Sequence, residues 1–79
     1  MALRIFLSSS LRKFVPSYDP DTGLDLTVEK GASVAEVCGI LGIPADSVKV
    51  IMVDGRSKSL DHTLTGNERV ALFPPVGGG

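Results

Sequence analysis

The sequence has one cysteine, Cys38, and one histidine, His62. That excludes an internal disulfide and a Cys-rich zinc site, so the fold must hold by packing alone. Long apolar runs are missing too. Met1-Ala2-Leu3-Arg4-Ile5-Phe6-Leu7 is interrupted by Arg4 and ended by Ser8-Ser9-Ser10, which leaves no signal-peptide core or membrane span there. A soluble, cytoplasmic protein with no membrane partner is expected. No excess of basic charge exists: eight Lys and Arg face nine Asp and Glu, for a net charge of −1. The basic residues are scattered and only Arg12-Lys13 adjoin, so nucleic acid is not expected as a partner. Repeats, low-complexity segments, nucleophile–base pairs, phosphate-binding loops and paired carboxylates are also absent, and the chain is not expected to be an enzyme in its own right.

What is present is a clear set of local signals in a chain of 79 residues, a length that supports one core and a net stability of a few kcal/mol. Leu3, Ile5 and Leu7 alternate with Arg4, Phe6 and Ser8, the period of a strand. Leu24, Leu26 and Val28 alternate with Asp25, Thr27 and Glu29, which predicts a second strand, antiparallel to the first, with one wet face. Pro16 and Asp19-Pro20-Asp21-Thr22-Gly23 mark turns in the connector between them. Ser33-Val34-Ala35-Glu36 reads as a capping box opening a helix. The stripe of that helix is Val34, Val37, Cys38 and Leu41, and its end is Gly42 followed by Pro44. Gly39, unfavourable inside a helix, is expected to mark a close approach to the sheet.

Val48 to Val53 is nearly all apolar, which predicts a central strand covered on both faces and closed by an Asp54-Gly55 turn. Leu60 and Leu64 stand as isolated anchors in an irregular polar stretch. Thr65-Gly66-Asn67-Glu68 turns the chain into Arg69-Val70-Ala71-Leu72-Phe73, a last strand stopped by Pro74 and Pro75. The order predicts an α+β β-grasp fold, with a mixed sheet of four to five strands on one main helix. Its expected division is a domain over 1–73 and a flexible tail over 74–79. Cys38, on the apolar stripe, and Met52 read as core; His62 reads as a loop residue. Asp19, Asp21 and Asp25 read as turn chemistry without the later glutamate of a calcium loop, and no metal site is expected.

The C-terminal run Ser59 to Gly79, and above all Phe73-Pro74-Pro75-Val76-Gly77-Gly78-Gly79, resembles the end of the molybdopterin synthase small subunit and of the thiamine-biosynthesis sulfur carriers. The resemblance extends over Val53-Asp54-Gly55-Arg56 and the helix with its Gly-Ile-Pro exit, and is looser before residue 30. Leu7-Ser8-Ser9-Ser10 stands where that family commonly has aromatic residues and alanine, and the 14–23 connector is longer than usual. Asp61-His62-x-Leu64-Thr65 and the double proline favour the molybdopterin branch.

The resemblance implies a ubiquitin-like sulfur carrier whose Gly79 carboxylate is adenylated and then converted to a thiocarboxylate. Its partners would be a ubiquitin-activating-enzyme-like adenylyltransferase, which uses ATP, and a sulfur-accepting synthase. That synthase would be a molybdopterin synthase large subunit or a thiazole synthase. No cofactor would stay bound, and the free carrier would be a monomer. Conjugation of Gly79 to protein lysines is the competing use of the same chemistry. Gly77, Gly78 and Gly79 have no Cβ to block a narrow channel, and Pro74 and Pro75 would hold the tail's base extended. Phe73 is expected as the partner-binding anchor, with Arg56 and Arg69 as rim charges on the sheet face near the tail.

Overall fold

Alternation sets the sheet. In the computed structural model, which describes residues 1–75, the strands are β1 (Ala2–Leu7), β2 (Leu24–Thr27), β3 (Val50–Val53), β4 (Arg56–Lys58) and β5 (Arg69–Phe73). The single α-helix, α1, spans Val34–Leu41, and short 3-10 helices lie at Ser9–Phe14 and Ala45–Ser47. The sheet order is β2-β1-β5-β3-β4, with β5 parallel to β1 and antiparallel to β3. This is the predicted ubiquitin-like β-grasp: a hairpin, a crossover helix, and a last strand returning to the middle of the sheet. Of the expected tail, Val76 to Gly79 lie outside the described residues.

One sheet face is the core. Leu3, Ile5 and Leu7 of β1, Ile51 and Val53 of β3, and Val70 and Leu72 of β5 are buried together with Val34, Val37 and Cys38 of α1. The capping box forms as read: Ser33 Oγ accepts from the Glu36 N–H at 3.1 Å, and the Ser33 N–H donates to Glu36 Oε1 at 3.4 Å. Two more N–H groups of the first helical turn, which have no partner inside a helix, donate to the polar stretch: Val34 to the His62 carbonyl and Ala35 to that of Leu60. That stretch is therefore the docking strip for the helix start, anchored by the fully buried Leu64.

Four expectations need correction. The apolar run at Val50–Val53 is not covered on both faces: Val50 is 41% exposed and Met52 only half-buried. Both project from the side opposite α1, so Met52 is not core. The irregular stretch after Asp54-Gly55 begins with β4, paired to β3 through a turn whose two central residues have φ 51° and 81°, as a two-residue type I′ hairpin requires. The start of the connector is a 3-10 helix that buries Leu11 to 1% exposure. Gly39 is exposed, and a Cβ there would meet nothing within 4 Å, so it marks no close approach. Gly39→Ala is accordingly expected to stabilise the fold by about 1 kcal/mol, read as a higher urea midpoint with unchanged slope.

Candidate functional site

The open face of the sheet is defined by the residues that alternate with the core. Phe6, Ala71, Met52 and Ser57 lie opposite one another across β1, β5, β3 and β4, and Phe73 lies opposite Val50 in the next row. Phe73 and Val50 are both more than a third exposed. Among the described residues no layer covers this contiguous apolar strip, which is what a docking face looks like in a small domain. Arg69 borders it, its guanidinium carbon 4.2 Å from the centroid of the Phe6 ring, close enough for cation–π attraction. The Asp54 carboxylate accepts from the Arg69 N–H at 2.9 Å and fixes the strand at its start. Met52, Asp54, Gly55, Arg69 and Ala71 line a shallow depression there.

β5 delivers the chain to the tail from the centre of the sheet. Its last carbonyls are held from both sides: the Ser8 N–H donates to Leu72 at 3.1 Å, and the Lys49 N–H donates to Phe73 at 2.8 Å. Pro74 and Pro75 follow at once. Neither has an N–H to continue a ladder, so among the described residues sheet hydrogen bonding ends at Phe73.

Of the expected partner-binding residues, the register brings Phe73 and Arg69 to one face of β5 but separates Arg56 from them. Arg56 lies opposite Val53, a core-facing residue. It therefore points to the α1 side of the sheet edge, because cross-strand partners share a face. Phe6, Val50, Met52 and Ala71, the other apolar members of the open face, were absent from that expectation. Pro74 is half-buried and Pro75 exposed. Gly77, Gly78 and Gly79 lie outside the described residues.

Two further groups resolve simply. Cys38 is buried, and desolvation pushes its thiol up from the ordinary range, which keeps it protonated and unreactive at neutral pH. Asp61 accepts from the Ser59 hydroxyl at 2.6 Å, and that hydrogen bond holds its carboxyl below the usual range. It closes a surface turn. Among the described residues, no three metal-binding side chains converge, and no helix is long and apolar enough to cross a membrane.

Residues 2–77 match the Mut7-C ubiquitin family. Among curated proteins no sequence matches. Solved structures of the same fold include SAMP1 from Haloferax volcanii, 18% identical with a TM-score of 0.72 over 100% of both chains. A Haloferax volcanii protein solved in solution is 21% identical with a TM-score of 0.76, over 100% of this chain and 87% of that one. A Pyrococcus furiosus protein assigned as molybdopterin converting factor, subunit 1, is 19% identical with a TM-score of 0.71, over 96% of this chain and 99% of that one.

Proposed function

The chain belongs to the Mut7-C ubiquitin family, and from that premise we propose that it is a sulfur carrier whose working group is the Gly79 carboxylate. The observation that supports this most is the path of β5. The strand runs from the centre of a ubiquitin-like sheet, beside an uncovered apolar face, directly into Pro74-Pro75 and the glycine tail. The body is then a handle and the tail the arm. In the chemistry proposed, a carboxylate oxygen of Gly79 attacks the α-phosphorus of ATP in an activating enzyme and expels pyrophosphate. Hydrosulfide-level sulfur then attacks the acyl carbon of the adenylate and expels AMP, leaving a C–S bond where a C–O bond stood. A terminal carboxyl, with a reference pKa of about 3.5, is ionised for the first step at neutral pH. The absence of a Cβ leaves the acyl carbon open for the second.

Delivery to a molybdopterin or tungstopterin precursor is the pathway favoured by the Asp61-His62-x-Leu64-Thr65 stretch and the double proline. Thiazole synthesis is the alternative. A second use, joining activated Gly79 to lysines of other proteins, is suggested by the fold shared with a protein named as a small archaeal modifier. Intact mass decides between them. The native chain should end at Gly79, and incubation with a family activating enzyme, ATP and sulfide should raise its mass by one oxygen-to-sulfur exchange. No exchange with any such enzyme would sink the carrier reading, and recovery of the tail in isopeptide linkage to lysine would favour the modifier.

A further inference from the structure

The connector between β1 and β2 crosses the end of the sheet from which the tail leaves. Leu11, at 1% exposure, pins its 3-10 helix to the core, and that places the next residue, Arg12, beside the end of β1. The Arg12 Nε–H donates to the Leu7 carbonyl at 3.2 Å, and the Tyr18 hydroxyl oxygen accepts from the Leu7 N–H at 2.9 Å. The guanidinium carbon lies 5.9 Å from the centroid of the Tyr18 ring. One backbone residue therefore fixes both side chains, and each uses a single bonding position to do it. Among the described residues the donors on the two terminal guanidinium nitrogens and the Tyr18 hydroxyl proton have no other partner.

These donors lie on a groove of about 160 Å³ that also includes Phe6, Pro20 and Phe73. Among the described residues its lining contains no Asp or Glu, and Arg12 makes no ion pair. A positioned fork of donors with aromatic and proline walls suits a group that only accepts, has two oxygens, and arrives on an apolar chain.

We propose that Arg12 and Tyr18 form a recognition element for an Asp or Glu side chain of the protein that takes the Gly79 tail. The inference rests on the reading that the tail has such a partner. The donors act in docking and not on the reacting carboxylate. Gly79 is six residues beyond Phe73, an extended reach of about 20 Å, so an enzyme that draws the tail into its site leaves the groove at the rim.

Two measurements test the proposal. In adenylation by the activating enzyme, Arg12→Glu should raise KM for the carrier at least about tenfold with kcat unchanged. Arg12→Lys, which keeps the charge and loses the fork, should fall between. Loss of activity in the wild-type chain would instead indict the carrier reading, so the second measurement needs no enzyme. On titrating the 15N-labelled chain with acetyl-Leu-Glu-Leu amide, the Leu7 amide and Arg12 Nε–H resonances should shift, less so with the Gln twin of the peptide, and the Leu7 shift should be lost in Arg12→Gln. No shift with the Glu peptide, equal shifts with both peptides, or shifts as large with acetate at equal concentration would overturn the proposal, as would an unchanged KM for Arg12→Glu.

Discussion

Truncation after Gly77 should leave the thermal midpoint of the domain unchanged and reduce adenylate formation more than about a hundredfold. The structural half of this expectation follows from where the ladder ends. Among the described residues Phe73 makes the last sheet hydrogen bond, accepting from the Lys49 N–H, and the two prolines after it have no N–H to extend the ladder, so a cut beyond them is expected to spare the sheet. The chemical half follows from reach. Removing two residues pulls the carboxylate back by up to about 7 Å, and an error of 1 Å in placing a reacting group can already cost about a hundredfold. The shortened chain should still bind the activating enzyme through the sheet face and so act as a competitive inhibitor of the full-length carrier. Replacing Gly79 with valine keeps the reach and adds bulk at the acyl carbon. It should retain binding while losing most activation. Survival of cofactor synthesis in cells that carry only the truncated chain would leave a plain interaction module, with the body alone carrying the function. ATP–pyrophosphate exchange and intact mass, measured beside a thermal melt, read both halves.

How much of this was legible in the sequence depended on whether local and global signals coincided. Ser33 and Glu36 announced the helix because the capping box is a contact between residues three apart. The two edge-to-centre strands β2 and β1 were visible because each alternates over its whole length. β4 was not, because Arg56-Ser57-Lys58 contains no apolar residue to alternate; its only signal was the Asp54-Gly55 turn before it. The 3-10 helix was hidden for a related reason, since one buried residue, Leu11, in a polar run leaves no periodicity to read. The run Val48–Val53 misled most informatively. An apolar residue on a strand states that it avoids water, not whether its cover comes from the same chain. Val50 and Met52 look like core in sequence and form part of the uncovered face in the fold, which is why the site was only half visible: Phe73 and Arg69 could be named, while Met52 was assigned to the core and Phe6, placed on the other face of β1, was given no role. Arg56 failed for want of register, which decides the face of every strand residue and is fixed here by the hairpin turn.

Gly23→Ala should be among the most damaging small substitutions in the domain, costing about 3 kcal/mol and lowering the melting midpoint by more than about 10 °C. Gly23 ends the connector and enters β2 with φ +79°, its N–H donating to the Asp19 carbonyl at 2.8 Å. A left-handed backbone costs an L-residue about 1–2 kcal/mol. The added methyl would also lie 2.9 Å from the Ile5 carbonyl oxygen and 3.0 Å from two carbons of the Phe6 ring, distances at which β1 or the ring must move. Gly31 separates the two contributions. Its φ is +89°, yet a Cβ there would meet nothing within 4 Å. Gly31→Ala should therefore cost only the backbone part, about 1 kcal/mol, and the difference between the two variants in urea unfolding measures the clash. Equal losses would mean that the connector shifts freely and that nothing holds Gly23 against β1. The same comparison carries to function, because the ring that the methyl would displace is the one on which Arg69 lies and which forms a wall of the Arg12–Tyr18 groove. At temperatures where both variants remain folded, Gly23→Ala should weaken engagement of the open face, whereas Gly31→Ala, remote from that ring, should leave it intact.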